Sequence, residues 1–292
     1  MPKRFAYLLL YDLHKGLAEV KWRFMVAFAL FAVLFVRFLI QSHSIEGEWQ
    51  ATVVDAFAFV SLGMGFFDVE KGVPFMLDLP WAMLLVAQLG MVGFYPADDF
   101  DENGERTALL AKSRLLWWLS KCTWVFLTLL LFFGVCLLLV IVYYLVAGVF
   151  GFGVGFFGAG AFDFHAEVVF LGHETMQLQD APETLFPALA AALCLPFVVS
   201  LGLGLAQVLL SFVVGRAVGL VLLLSYAIVS TYFTNPFLVG AYGMLLRNSL
   251  FNPDGISNTQ VFLSYAVLIV FVVFAGVICF RKRDLMGAKR EG

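Results

Sequence analysis

The residues that could carry out chemistry are few in this chain, and their spacing matches no catalytic motif. Histidine and cysteine occur at His14, His43, His165, His173, Cys122, Cys136, Cys194 and Cys279. The cysteines lie in apolar runs without a C-x-x-C pair, which is typical of packing residues. The chain also lacks the phosphate loop G-x-x-x-x-G-K-S/T, the zinc motif H-E-x-x-H and the nucleophile elbow G-x-S-x-G. We therefore predict no catalytic residue, no metal site and no cofactor of its own.

The composition excludes most soluble classes. Of the 292 residues, 62% are hydrophobic and 13% are charged, and phenylalanine alone occurs 33 times. Soluble proteins are about half apolar and about a quarter charged. A soluble enzyme and a nucleic-acid-binding protein are both disfavoured. The composition predicts an all-α, polytopic membrane protein in contact with lipid.

Six segments are long and apolar enough to cross a bilayer, which requires about 20 residues: 24–40, 81–97, 121–147, 186–213, 217–234 and 261–280. A seventh run, 51–67, contains Asp55 and several small residues. If this run does not cross and the N-terminus is cytoplasmic, most of the 18 lysines and arginines fall on the cytoplasmic side. We therefore predict six spans in the cell (inner) membrane with both termini cytoplasmic. Segments 42–80 and 148–185 are then extracytoplasmic, and 51–67 is interfacial or re-entrant.

The N-terminal segment 5–22 has an amphipathic pattern. Apolar residues recur every three or four positions, and the charged residues Asp12, Lys15, Glu19 and Arg23 lie between them on the polar face. Lys15, Glu19 and Arg23 are also spaced for i,i+4 ion pairs. This pattern favours a helix that lies in the membrane interface. The alternative is that the segment extends the first span into the cytosol.

The six spans contain no Asp or Glu. Ion-coupled carriers usually place carboxylates in the membrane, so their absence argues against a self-powered secondary transporter. The polar candidates for a transport pathway are Arg37, Gln88 and Gln207. Arg37 lies near the outer end of its span and can extend towards water. The expected role of the two glutamines is hydrogen bonding between helices.

Residues 94–124 carry the most information. Pro96 is expected to end the second span, and Asp98, Asp99, Asp101 and Glu102 are expected to form a solvated acidic turn. A short cytosolic helix is predicted to follow, from about Arg106 to Arg114. Trp117 and Trp118 would then lie at the headgroup level, with Lys121 anchoring the third span. A short polar helix joined to two spans could receive force from a soluble partner; the alternative is an ordinary cytoplasmic loop.

The stretch Gly104–Lys121, with Lys112-Ser113-Arg114 and Trp117-Trp118-Leu119-Ser120-Lys121, resembles the ABC-2-type permeases of ABC exporters. It is similar to a subgroup of small bacterial permeases that accompany bacitracin- or lantibiotic-type ATPases. The resemblance implies a coupling helix in 98–120 that docks on a separate ATPase, and this ATPase would bind the ATP and magnesium. It also implies short re-entrant helices within 235–258. The docking residues it implies are Gly104, Arg106, Lys112, Arg114, Trp117, Trp118 and Lys121.

These observations lead to one functional prediction and two alternatives. The chain is predicted to be the permease subunit of an ATP-driven exporter, paired with a second permease subunit as a homodimer or heterodimer. Its substrate would be amphipathic, such as an antimicrobial peptide, a lipid or a hydrophobic drug. One alternative is a stand-alone membrane immunity or scaffold protein without an ATPase. The other is a lipid-active membrane enzyme, for which the outer acids, His165 and His173 are the only candidates.

Overall fold

The computed structural model describes residues 2–43, 53–65, 78–102, 113–149, 181–233, 238–249 and 255–282. These residues form eight α-helices and two short 3-10 helices, and the described ranges contain no β-strand apart from an isolated bridge between Asn248 and Ile256. In chain order the elements are α1 (Pro2–His43), α2 (Val53–Val60), α3 (Leu79–Gly93), α4 (95–102), α5 (Arg114–Val149), α6 (Ala181–Val213), α7 (Arg216–Tyr232), η1 (Val239–Ala241), η2 (Leu245–Arg247) and α8 (Asn258–Lys282).

Five helical stretches among the described residues are long and apolar enough to cross a membrane: Lys3–Ile40, Leu79–Glu102, Arg114–Ala147, Ala191–Val213 and Asn258–Phe280. Each overlaps one of the predicted spans, so the prediction of an all-α, multi-pass membrane protein is confirmed. The predicted span 217–234 corresponds to α7, a shorter apolar helix of 17 residues. Six spans therefore remain a prediction.

Helix α1 is continuous over 42 residues, which is about 63 Å at the rise of an α-helix. Segment 5–22 is therefore not a separate helix; the structure has the alternative, in which it extends the first span. No proline interrupts this segment, and Lys15 and Glu19 form the expected i,i+4 ion pair at 3.3 Å. Leu8 and Val20 are buried against the rest of the bundle, so this segment packs on the protein.

The region after the second span differs from the expected acidic turn. Helix α3 ends at Gly93, Phe94 breaks the helical pattern, and α4 begins at residue 95. Pro96 lies in the first turn of α4, where its missing N–H has no helical partner to lose. Pro96 thus helps to start a helix, and Asp99 in that helix is fully buried.

Aromatic contacts define the packing of the long helices. Helices α1 and α5 run parallel, because Phe24 contacts Phe132 at 5.8 Å and, further along both helices, Phe35 contacts Tyr143 at 5.4 Å between ring centroids. Helix α6 runs antiparallel to α5, because Trp117 contacts Phe212 whereas Phe126, further along α5, contacts Phe197, nearer the start of α6. Helix α8 packs against both α5 and α6, and an aromatic cluster joins them to α4 through Phe100, Trp117, Trp118, Phe212 and Phe280.

The described part of the ambiguous run 51–67, residues 53–65, contains the eight-residue helix α2, which is about 12 Å long and too short to cross a bilayer by itself. The chain that follows α2 pairs with η2: Leu245 N–H donates to the Ser61 carbonyl at 3.0 Å, and Leu246 N–H donates to the Leu62 carbonyl at 3.1 Å. Two segments that come from distant parts of the sequence thus form one structured end of the bundle.

Candidate functional site

A buried ion cluster joins three helices. The Lys121 ammonium on α5 lies 2.5 Å from Asp12 Oδ1 on α1 and 2.6 Å from Asp99 Oδ2 on α4. Lys121 is 1% exposed, Asp12 2% and Asp99 0%. A single lysine therefore bridges two carboxylates inside the protein, where ionic interactions are screened far less than at the surface.

Each carboxylate in this cluster has further hydrogen-bond donors. Asp12 accepts from the Ser120 hydroxyl at 2.5 Å and from the Tyr95 hydroxyl at 3.1 Å. Asp99 accepts from the Lys15 ammonium at 3.0 Å and from the Tyr11 hydroxyl at 3.1 Å. These contacts are what makes buried charges tolerable, because an ion without partners is strongly destabilised in a low dielectric.

The other acidic residues of α4 are also paired, each with a basic residue from another element. Asp98 and Asp101 both form ion pairs with Arg216, the first residue of α7. Glu102 pairs with Lys15 of α1 at 3.2 Å. Helix α4 is thus connected by charge to α1, α5 and α7. The stretch predicted as a solvated acidic turn is a connecting helix.

The structure describes four of the seven predicted docking residues: Arg114, Trp117, Trp118 and Lys121. Gly104, Arg106 and Lys112 lie outside the described residues. Arg114 donates to the Phe280 carbonyl near the end of α8, at 3.1 Å.

The remaining three docking residues, Trp117, Trp118 and Lys121, are 3%, 0% and 1% exposed. Their side chains pack against other helices of this chain, and Trp118 Nε1 donates to the Val273 carbonyl at 3.0 Å. These three side chains are therefore buried within this chain. Their docking on a partner stays a prediction, and so does the position of Trp117 and Trp118 at the headgroup level.

The candidate pathway residues have partners other than the ion cluster. Gln88 on α3 accepts from the Ser200 hydroxyl on α6 at 2.7 Å, which is the expected bond between helices. Gln207 on α6 donates to the Arg216 carbonyl at the start of α7, at 3.4 Å. Arg37 is half-buried near the C-terminal end of α1, and its charge acts on Asp78, the N-cap residue of α3.

Arg247 is a functional candidate that the sequence analysis missed. It is 3% exposed and donates to four backbone carbonyls, at 3.2 Å to Ser230 and to Met64, at 3.1 Å to Gly65, and also to Thr231. Burial lowers the pKa of Arg247 to about 10. The guanidinium fastens the end of α7 to the chain after α2. The available signal was a basic residue in a predicted outer loop, against the positive-inside bias.

The ion cluster was also missed, although the sequence carries a signal for it. Asp12 was assigned to the polar face of segment 5–22. Leu8, Asp12, Gly16 and Val20 are spaced four residues apart, and all four are buried. An acid in register with buried apolar residues needs a partner inside the protein. The pattern could have identified Asp12 as internal, but not Lys121 as its partner.

Among the described residues, no group of three or more His, Cys, Asp or Glu side chains is arranged to hold a metal ion. Comparison of the chain with family models, with curated proteins and with solved structures finds no match.

Proposed function

We propose that this chain is the permease subunit of an ATP-driven exporter in the cell membrane, driven by a separate ATPase. The observation that carries the proposal is the attachment of the predicted coupling segment at both ends. Helix α4, which precedes it, and the first turns of α5, which follow it, meet at the Lys121–Asp99 ion pair. Force applied to residues 103–112 would therefore act on the bundle through two ion-paired helices.

The connections of α4 determine which helices would respond. Asp99 connects α4 to α1 and α5, and Arg216 connects α4 to the start of α7. Closure of the ATPase would shift α4, and the helices paired with it would tilt together to change access across the membrane. The chain would contribute no covalent step.

The proposed substrate is amphipathic, such as a peptide, a lipid or a hydrophobic drug. The predicted spans offer aromatic and aliphatic walls with few charges, which suit such molecules better than ions. A second permease subunit, identical or related, would complete the pathway, and membrane lipid would surround both. Antibiotic self-protection is the leading biological role, and it rests on the resemblance of Gly104–Lys121 to the small bacterial permeases.

A charge reversal tests the docking. The triple variant Arg106→Glu, Lys112→Glu, Arg114→Glu should still insert but should lose the ATPase on purification in mild detergent. The matched control is Lys3→Glu with Arg4→Glu, because both residues are exposed at the start of α1. The control should keep the ATPase. Equal recovery of an ATPase with both variants would refute docking at this segment, and wild-type protein that carries no ATPase would favour a stand-alone membrane protein.

A specific observation favours a second candidate, an ion-coupled carrier. The argument against it was the absence of acids from the six spans, yet Asp12 and Asp99 are buried in helices that continue those spans. Buried carboxylates of this kind can relay protons. The two candidates differ in energy source: transport by the carrier would follow an ion gradient without nucleotide, whereas transport by the exporter would require the ATPase and ATP.

A further inference from the structure

A cavity of about 40 Å³ lies between the helices, away from the ion cluster. Its wall is largely apolar, with both aromatic and aliphatic side chains, and Gln88, Ser200 and Ser61 contribute polar groups. The aromatic lining residues come from α1, α2, α3 and α5: Phe31, Phe57, Trp81, Phe132 and Phe133.

Four of the residues that line the cavity lie near the centres of predicted spans. Phe31, Gln88, Phe132 and Ser200 each lie within about two residues of the centre of a predicted span, namely 24–40, 81–97, 121–147 and 186–213. These four side chains line the same cavity. The cavity thus adjoins the central residues of four predicted spans and extends towards the end of the bundle that contains Ser61, Gly243 and Trp81.

The polar groups in the cavity leave a hydrogen-bond donor available. The Ser200 hydroxyl donates to Gln88 Oε1 at 2.7 Å, which satisfies the amide oxygen. The amide nitrogen of Gln88 donates to no group in the part of the chain that the structure describes. A buried amide N–H gains from an acceptor, so an oxygen on a ligand would be favoured at this point.

The lining also excludes charge. None of the described side chains around the cavity is ionisable, and an ion placed there would lose its hydration without gaining a partner. A single water needs roughly 10–15 Å³ of such volume, so the cavity of about 40 Å³ admits a group of roughly three to four non-hydrogen atoms. A larger substrate would insert only one end.

We propose that this cavity binds an uncharged, mainly apolar group that carries one oxygen acceptor, such as an alcohol, ether or ester end. Gln88 donates the hydrogen bond and the aromatic wall contacts the apolar atoms. As the place where the exporter holds the uncharged end of its amphipathic substrate, the site rests on the proposed function. As a binding site for small neutral molecules it can be measured on this chain alone.

The test uses 2-bromoethanol, a small neutral alcohol whose bromine quenches tryptophan fluorescence on contact, and Trp81 is the reporter in the cavity wall. The purified full chain in detergent should show a saturable quenching component that is absent in Trp81→Phe. Gln88→Leu should weaken the apparent affinity about fivefold, the loss of one hydrogen bond. Ser200→Ala keeps the donor and should bind within about twofold of wild type.

Three controls make the result decisive. Gly134→Ala changes a position where a Cβ would meet no atom within 4 Å, so it should leave quenching unchanged. The charged analogue 2-bromoethylammonium should give only linear, unsaturable quenching. Ser200→Leu fills the cavity and should abolish the saturable component while the variant keeps its elution volume and melting temperature.

Linear quenching by 2-bromoethanol that is equal in wild type and Trp81→Phe would overturn the proposal, as would saturable quenching by the charged analogue. If Gln88→Leu does not fold, Ser200→Leu and Trp81→Phe decide the question. The assay contains neither nucleotide nor partner. A missing ATPase would therefore refute the proposed function but would leave the quenching result valid. Absent quenching would refute the binding site but would leave the ATPase test valid.

Discussion

Replacing Lys121 by methionine tests the buried ion cluster most sharply. Methionine keeps most of the side chain's length but removes the ammonium, so Asp12 and Asp99 stay buried, at 2% and 0% exposure, with one positive charge fewer. Removing one partner of a buried ion pair costs about 3–5 kcal/mol. Asp99 still has Lys15 at 3.0 Å, so we expect a loss near the lower end, about 3 kcal/mol in the free energy of unfolding.

The assay is unfolding by SDS titration in mixed micelles, followed by circular dichroism. The matched control is Arg216→Met, because Arg216 is 41% exposed and also binds two acids of α4. Exposed ion pairs contribute at most about 1 kcal/mol. The double variant Lys121→Met with Asp12→Asn restores the charge balance and should recover part of the loss. If Lys121→Met loses no more than Arg216→Met, or if the double variant is less stable than the single one, the reasoning is refuted.

Three further predictions concern other contacts. Gly276→Ala should lower the free energy of unfolding by about 1–3 kcal/mol, because a Cβ there would lie 2.2 Å from a ring atom of buried Trp118. Gly134→Ala should be neutral, since a Cβ there meets no atom within 4 Å. Equal SDS titration curves for the two variants would contradict this packing. Arg247→Met leaves four backbone carbonyls without their donor, so it should speed proteolysis of the chain after α2 in detergent. An unchanged digestion rate would contradict the role of Arg247 in holding the end of α7 against the chain after α2. Burial raises the pKa of Asp78 to about 6. Because this pKa is higher in the folded than in the unfolded chain, the melting temperature should rise as the pH falls from 7.5 towards 5. The rise should be smaller in Asp78→Asn. A wild-type melting temperature that is flat over this range would contradict the prediction.

The membrane-spanning helices could be predicted because a bilayer imposes a length and an apolar composition on each segment. The same patterns identified Gln88 as a residue that bonds between helices, since a polar group among apolar neighbours must find a partner. These predictions depend only on local sequence. Run 51–67 was ambiguous from its own residues, and the prediction that it does not cross came from the distribution of lysine and arginine over the whole chain.

The contacts between distant segments could not be predicted in the same way. Asp12 and Lys121 are separated by more than a hundred residues, and no periodicity links one to the other. The sequence predicts a solvated Asp99, because its neighbours are acidic. In the structure, α4 directs the Asp99 side chain towards Lys121, while Asp98 pairs with Arg216. The continuity of α1 could not be predicted either, because the amphipathic pattern fits an interfacial helix and an extended span equally well.

The central claim is that this chain is a gate without an energy source of its own, and transport by the purified chain tests it most directly. The chain is reconstituted alone into sealed vesicles, without nucleotide, with an imposed proton or sodium gradient and a labelled amphipathic peptide. We expect no accumulation against the peptide gradient until an ATPase and ATP are supplied. Uphill accumulation driven by the ion gradient alone would contradict the claim and establish an ion-coupled carrier.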